Sequence, residues 1–157
     1  MRRVLGIDPG LGSTGYAVLD YARSRYRLAS SGTIETPPGA ARGERLNMIY
    51  EALSLIIGEF KPSEAGMETL FFARNVTSAL AVSEAKGVLA LCLHRRGVPL
   101  FEYRPNAIKL AVTGSARADK RAVQEYVRLL LGLESPPKSD HESDAIACAI
   151  THLHITP

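Results

Sequence analysis

The sequence contains little that would place the chain in a membrane or outside the cell. No apolar run approaches the ~20 residues that a membrane-spanning helix requires, and the first residues lack the apolar core of a signal peptide, so we expect no secretory leader. The two cysteines, Cys92 and Cys148, lie far apart within apolar helical patterns. This spacing indicates buried thiols in a reducing compartment, not a disulfide or a zinc site. We therefore expect a cytoplasmic protein that does not associate with a membrane.

The sequence also lacks repeats, low-complexity stretches and a strong net charge. Its 157 residues carry 19 Lys and Arg against 16 Asp and Glu, which gives a formal charge of +3. This length fits one domain over residues 1–157. The charge permits nucleic-acid binding without proving it. Basic residues cluster at Arg117, Lys120 and Arg121, near Lys109, although solvated surface charge explains such a cluster equally well.

Hydrophobic periodicity predicts an α/β fold. Three strand-like segments joined by short connections favour an antiparallel meander, and an apolar stripe with spacings of three and four then predicts a long helix. On the second long helix, Leu80, Val88, Leu89 and Cys92 form the predicted inner face. The predicted strands span 4–8, 14–19, 26–35, 64–68 and 98–103, and the predicted helices span 46–60, 77–96, 105–112, 119–131 and 139–153. This order predicts a five-stranded mixed sheet flanked by helices.

Acidic residues stand at the ends of two predicted strands and at the start of the last helix. Asp8 closes the first strand before Pro9-Gly10 and Glu68 closes the fourth. At the helix start, His141 and Asp144 lie three residues apart and so share one face. Each has a purely structural alternative: an Asp can cap a Pro-Gly turn, and a terminal Glu can simply leave the core. Ser139 with Glu142 has the form of a capping box.

Convergence of Asp8, Glu68 and Asp144 would create a site for divalent cations. Three carboxylates close together repel one another, and without cations at least one would be protonated. Oxygen ligands of this kind suit Mg²⁺ or Mn²⁺, and an imidazole from His141 would shift the preference toward Mn²⁺. Two such ions about 3.5–4 Å apart can activate a water molecule and stabilise the leaving oxygen of a phosphodiester.

Several stretches resemble the RuvC family of Holliday-junction resolvases in the order in which that family has them. The first two regions are LGIDPG at 5–10 with TGY at 14–16, and ME at 67–68 followed by Phe71, ARN at 73–75 and SAL at 78–80. The last two are FEY at 101–103 with Lys109, Lys120 and VQ at 123–124, and DAIA at 144–147 with AITH at 149–152. The similarity spans essentially the whole chain. It implies a ribonuclease-H-like fold and a structure-selective endonuclease. Such an enzyme resolves four-way junctions by symmetric, metal-dependent phosphodiester hydrolysis in homologous recombination and DNA repair.

The resemblance also assigns roles to individual residues. It implies metal ligation by Asp8, Glu68, His141 and Asp144, with two divalent cations, Mg²⁺ or Mn²⁺, in each site. Asp140, four residues before Asp144, is a competing ligand. Lys120 joins the four ligands as a catalytic residue, and Lys109 also falls near the scissile phosphate. The implied DNA-binding residues are Phe71, Phe72, Arg74, Asn75, Lys109, Arg117, Lys120 and Arg121. Phe71 matches an aromatic residue that stacks on bases at the junction centre, whereas core packing suits Phe72 better. The implied partners are a second copy of the chain, which would match the two-fold symmetry of a junction, and the RuvA–RuvB branch-migration complex.

Three other functions are compatible with parts of the sequence. An Asp-x-Gly turn followed by Thr14-Gly15 also occurs in actin-like and sugar-kinase ATPases, but these need two such domains. A YqgF-like nuclease acting on ribosomal RNA precursors shares the first motif, although Phe71 and the Lys109–Lys120 pair fit RuvC better. A junction-binding module without catalysis would require the acidic residues to be purely structural.

Overall fold

The computed structural model describes residues 1–69 and 75–156. Within them, the strands are β1 (Arg2–Asp8), β2 (Ser13–Ala22), β3 (Arg25–Glu35), β4 (Glu64–Glu68) and β5 (Leu100–Tyr103), and the helices are α1 (Arg42–Phe60), α2 (Val76–Arg95), α3 (Pro105–Thr113), α4 (Lys120–Leu131) and α5 (Asp140–Ile155). The predicted order of strands and helices is confirmed. β5 begins two residues later than predicted, at Leu100, after Pro99, which has no backbone N–H to donate to a neighbouring strand.

The five strands form one mixed sheet in the order β3-β2-β1-β4-β5. β1 pairs antiparallel with β2 and β2 with β3, as the predicted meander requires. β1 pairs in parallel with β4, and β4 in parallel with β5. Parallel neighbours need a crossover connection. The chain passes through α1 between the meander and β4, and through α2 between β4 and β5. The central strand therefore has an antiparallel partner on one side and a parallel partner on the other.

Helices cover both faces of this sheet, and alternate residues of the central strand point to opposite layers. Leu5 and Ile7 belong to a core formed with α1 and α2, whereas Val4 belongs to a core formed with α3, α4 and α5. Cys92 is buried in the first layer and Cys148 in the second, and both are free thiols, as predicted. Because strand side chains alternate between faces, Gly6 and Asp8 point to the α5 side of the sheet along with Val4.

The backbone of α5 lies very close to β1 and β2 where those strands have glycine. A Cβ atom built on Gly6 would lie 1.9 Å from the carbonyl oxygen of Ala145, and one built on Gly15 would lie 1.9 Å from the carbonyl oxygen of His141. Real Cβ atoms essentially never approach another atom so closely. The two glycines therefore allow the first turns of α5 to pack directly against the sheet, which fixes the distance between the helix N-terminus and the sheet.

The predicted inner face of α2 is partly wrong. Leu89 and Cys92 are buried and Val88 is partly buried, but Leu80 is 54% exposed. Apolar residues surround nearly the whole helix, so periodicity alone did not fix its rotation. By length and composition alone, α2 is the helix in the described chain that is long and apolar enough to cross a membrane. Core helices pass the same test, and α2 packs against α1.

Asp20 forms the central carboxylate of an ion-pair network at the edge of the sheet opposite Asp8. It is only 3% exposed and accepts hydrogen bonds from Arg3 Nε at 2.6 Å, from Arg3 Nη2 at 2.9 Å and from Arg27. The hydrogen bonds from Arg3 lower the pKa of Asp20, and those from Arg27 add to the effect. A folded-state pKa below the unfolded one means that Asp20 stabilises the fold above pH ~4 and loses this contribution as pH falls through its folded pKa.

We expect Asp20→Asn to lower the free energy of unfolding at pH 7 by about 3 kcal/mol, because it leaves the Arg3 guanidinium without its carboxylate. The loss should shrink as pH falls below 4, since the wild-type carboxylate is then being protonated. Urea unfolding between pH 3 and pH 7 measures both effects. Glu125→Gln is the matched control, because Glu125 pairs with Arg128 on an exposed helix surface and should show no measurable change. A pH-independent loss in Asp20→Asn would contradict the ionic explanation.

Candidate active site

Asp8 and Glu68 leave neighbouring strands at the same edge and on the same face of the sheet. β1 and β4 run in parallel with Ile7 opposite Met67, so the next residue of each strand is acidic. Ile7 and Met67 are buried in the α1–α2 layer. The strand alternation therefore directs Asp8 and Glu68 toward α5. Neighbouring strands are about 4.8 Å apart, which places the two acidic residues side by side.

The N-terminal turn of α5 supplies the remaining predicted ligands at this edge. Ser139 caps the helix by accepting a hydrogen bond from the Glu142 N–H at 3.1 Å, and Glu142 in turn accepts one from Ser31 at 2.6 Å. The predicted capping box is present only in part, because the Glu142 carboxylate accepts from the Lys138 N–H at 3.1 Å and not from the Ser139 N–H. Because the backbone of α5 also packs directly against Gly15, His141 and Asp144 project from a rigidly held helix end.

The electrostatics of the site disfavour three ionised carboxylates. Burial, as the largest cause, raises the pKa of Asp8 to about 6; Asp144 adds to the rise and the hydrogen bond to His141 opposes it. Burial, followed by repulsion from Asp8 and Asp144, raises the pKa of Glu68 to about 7. Burial also raises the pKa of Asp144, against the effect of Lys120. A cation would relieve this repulsion, so the donor set suits a hard divalent ion.

His141 contacts Asp8 directly. Its Nδ1 lies 2.7 Å from Asp8 Oδ2, a distance at which a protonated Nδ1 donates to the carboxylate. The imidazole is half-exposed, whereas the Asp8 side chain is only 14% exposed. His141 is thus placed beside Asp8, the most deeply buried carboxylate of the site.

Lys120 lies on the other side of Asp144. Its Nζ is 3.2 Å from Asp140 Oδ2 and 3.5 Å from Asp144 Oδ2. It also lines a cleft of about 300 Å³ together with Glu68, Lys109 and Asp144. Two ammonium groups and two carboxylates therefore border one cleft.

A second hollow, of about 270 Å³, meets the first at Glu68 and contains a lysine that sequence reasoning missed. Asp8, Glu68 and Lys86 line it, and Lys86 forms an ion pair with Glu102 of β5. Lys86 falls three residues before buried Leu89 on α2. That spacing was the available signal, because a basic residue on an inner helix face is unusual.

As they stand, no three His, Cys, Asp or Glu side chains in residues 1–69 and 75–156 are close enough to hold a metal ion. Three of the four predicted ligands are engaged with other side chains, because Asp8 and His141 pair with each other and Asp144 pairs with Lys120. The four residues nevertheless lie at one edge of the sheet, where β1, β4 and the start of α5 meet.

Comparison with known proteins identifies the family. Residues 4–152 match the family described as crossover junction endodeoxyribonuclease RuvC. The chain is 50% identical over 152 residues to the crossover junction endodeoxyribonuclease RuvC of Treponema denticola, covering 97% of this chain and 85% of that protein. This chain belongs to the RuvC family.

Solved structures agree with this assignment. Thermus thermophilus RuvC in complex with a Holliday junction substrate superposes with a TM-score of 0.94 at 31% identity, over 99% of this chain and 94% of that one. The yeast mitochondrial Holliday junction resolvase, at 14% identity, covers 98% of this chain and 79% of its own, with a TM-score of 0.69, and shares the fold. The predicted ribonuclease-H-like fold is confirmed. RuvC membership does not favour the YqgF-like alternative.

The residues expected to bind DNA in a RuvC protein are placed less uniformly. Lys109 and Lys120 border the cleft, and Arg117 is exposed in the turn before α4. Arg121 instead lines a separate hollow on α4 with Glu125 and Pro136. Both lysines therefore face the acidic site, whereas Arg121 does not line that cleft.

Asn75 has a structural role at the start of α2. Its side chain caps the helix by accepting a hydrogen bond from the Ser78 N–H at 3.2 Å. The capping bond uses the amide oxygen and leaves the amide N–H groups available to a ligand. Phe71, Phe72 and Arg74, the other residues predicted to contact DNA, lie outside the described residues.

Proposed function

We propose that this chain is a structure-selective DNA endonuclease that resolves four-way junctions by symmetric, metal-dependent hydrolysis of phosphodiester bonds. The observation that carries the proposal is the gathering of Asp8, Glu68 and Asp144 on one face at one edge of the sheet, beside Lys109 and Lys120. The relative solved with a Holliday junction substrate supports the choice of substrate. Homologous recombination and DNA repair are the processes that produce such junctions.

In this proposal, Asp8, Glu68, His141 and Asp144 hold two divalent cations, Mg²⁺ or Mn²⁺. When bound, the ions would supply an activated water molecule and charge stabilisation at the leaving oxygen. The protein fixes the ligands on strand ends and a seated helix, so that little reorganisation is needed during the reaction. Lys120 would place its ammonium against the phosphate oxygens, where negative charge develops.

A cleavage assay tests this function. The wild-type protein is incubated with a four-way DNA junction, a linear duplex of the same arms and an RNA duplex, each in EDTA, Mg²⁺ or Mn²⁺. We expect paired, symmetric nicks in the junction only, and only with a metal. Preferred cleavage of RNA would favour the YqgF-like function. Tight junction binding without nicking would favour a binding module, and nicking in EDTA would contradict metal dependence.

A homodimer is supported by the outer face of α2. Val76, Leu80 and Leu91 are exposed there and, with Gly87, fall within about 60° of one another around the helix axis. A second copy of the chain would cover this stripe and place two active sites in two-fold symmetry. We expect Leu91→Asp to shift the protein toward the monomer in light scattering after gel filtration. Leu55→Asp, on α1, is the control for adding a charge at an exposed leucine.

Of the remaining assignments, the single domain and the location rest on the length, the apolar pattern and the cysteines of the sequence, and the protein partner rests on the family. We propose a single nuclease domain over residues 1–157, a cytoplasmic location without membrane association, and the RuvA–RuvB branch-migration complex as a partner. Pull-down of that complex by the wild-type chain on junction DNA tests the partnership.

We expect His141→Asp to retain junction cleavage while shifting the metal preference toward Mg²⁺. The imidazole nitrogen favours the softer ion, and a carboxylate in its place would remove that preference. The ratio of cleavage rates in Mn²⁺ and in Mg²⁺ measures the change. His154→Asp, at the exposed far end of α5, should leave the ratio unchanged. The same ratio in His141→Asp as in wild type would argue against ligation by His141.

A further inference from the structure

The N-terminal ends of α4 and α5 are joined through Asp140, the first residue of α5. Lys120 Nζ lies 3.2 Å from Asp140 Oδ2, and Gln124 Nε2 donates to Asp140 Oδ1 at 2.8 Å. Lys120 and Gln124 are one turn apart on α4, so they share a face. Each carboxylate oxygen of Asp140 is therefore bound by a different side chain of the same helix.

Asp140 and Asp144 share the Lys120 ammonium but stand in different surroundings. Asp144 borders the cleft with Glu68 and is one of the proposed metal ligands. Asp140 is more exposed, 63% against 31% for Asp144, and does not line either hollow of the site among the described residues. A cation bound to Asp144 would compete with Lys120 for that carboxylate. Asp140 would then remain as the anion that keeps the ammonium in place.

We propose that Asp140, oriented by Gln124, is a positioning residue that holds the Lys120 ammonium at the edge of the active-site cleft. This inference rests on the proposed role of Lys120 in the nuclease reaction. It also gives Asp140 a function different from metal ligation, which its spacing of four residues from Asp144 would equally allow. Ligation would require Asp140 to leave both of its partners on α4.

The test is a double-mutant cycle of Asp140→Asn and Lys120→Met. Single-turnover cleavage, junction affinity in EDTA and Mn²⁺ affinity by calorimetry are measured for the four proteins. In the wild-type background, Asp140→Asn should lower the cleavage rate constant about tenfold, with junction and Mn²⁺ affinities within about twofold. In the Lys120→Met background it should cause no further loss, because the residue that it positions is gone.

Two more variants sharpen the result. Gln124→Leu should reproduce the pattern of Asp140→Asn with a smaller effect, and the two should not be additive. Glu125→Gln removes a carboxylate from the same helix on the side facing Arg128, so it should cleave junctions at the wild-type rate. A fall in Glu125→Gln as large as that in Asp140→Asn would mean that general charge, and not the contact with Lys120, is responsible.

Other outcomes overturn the inference. A weaker Mn²⁺ affinity in Asp140→Asn would make Asp140 a ligand, and an equal loss in both backgrounds would show that it acts independently of Lys120. If the wild-type protein cuts no junction, the proposed function fails. Crystal structures of the wild type and of Asp140→Asn then still test the contact, and an unchanged position of the Lys120 ammonium in the variant would reject the positioning role by itself.

Discussion

Asp8→Asn is expected to reduce junction cleavage at least about a hundredfold while leaving junction binding within about twofold. Asp8 is a proposed metal ligand beside both Glu68 and His141, so its loss would remove several kcal/mol of charge stabilisation from the proposed reaction. Asparagine has nearly the same shape, and its side-chain oxygen can still accept a hydrogen bond from His141. The surface presented to DNA therefore changes little. Single-turnover cleavage and binding in EDTA separate the two quantities.

The same substitution should not destabilise the metal-free protein. Because the pKa of Asp8 is raised to about 6, its ionised form is disfavoured by folding. Asp8 therefore lowers the free energy of unfolding as pH rises from about 4, its pKa in the unfolded chain, through about 6, its pKa in the folded protein. Asp8→Asn removes that cost, so its Tm at pH 7.5 should equal or exceed that of the wild type. A lower Tm together with lost cleavage would indicate misfolding. Cleavage within a few-fold of wild type would remove Asp8 from the mechanism. Glu59→Gln, at the exposed end of α1, is the control.

The placement of Asp8 and Glu68 was largely predictable because it depends on strand periodicity. Each residue directly follows a buried apolar residue at a strand end, so both leave the core at a known position. Their adjacency required one further fact, namely that β4 pairs in parallel with β1. The apolar stripe of α1 supplied the crossover helix, and the structure shows the parallel register of Ile7 with Met67.

The rotation of α2 could not be predicted in the same way. Its apolar residues occupy nearly every direction around the axis, so Leu80 and Leu89 were indistinguishable by hydrophobicity. Only tertiary contacts with α1 decide which of them is buried. Lys86 would have added to the ambiguity, because it lies on the buried side, where its charge pairs with Glu102 of β5. Only the packed structure shows that partner.

The contact of Asp140 with Lys120 also could not be predicted from the sequence. Spacing of four residues from Asp144 placed Asp140 on the correct helix face but did not reveal that α4 would lie alongside. A site residue defined by its own helix could be found from the sequence, whereas a pairing between two helices depends on how they pack.

Gly15→Ala is expected to affect stability and activity together, because β2 and α5 touch at this glycine. The added methyl carbon would lie 1.9 Å from the carbonyl oxygen of His141 and 3.1 Å from the backbone nitrogen of Glu142. Neither atom belongs to a flexible side chain, so α5 or β2 must shift. Overpacking of this kind typically costs about 1–3 kcal/mol. The shift would also move His141 away from Asp8, so we expect at least about a tenfold loss of cleavage in the folded variant.

Thermal unfolding and cleavage well below the Tm of the variant distinguish these two effects. Gly58→Ala is the matched control, because nothing lies within 4 Å of the added carbon and the residue is in α1. It should leave cleavage unchanged and raise stability by up to about 1 kcal/mol, since alanine suits a helix better than glycine. If Gly15→Ala unfolds like the wild type, the close approach of α5 to β2 is wrong. If it is destabilised but cleaves normally at low temperature, the position of His141 does not depend on the contact of α5 with Gly15. The rigid placement proposed for the ligands would then have to come from the Ser139 cap alone.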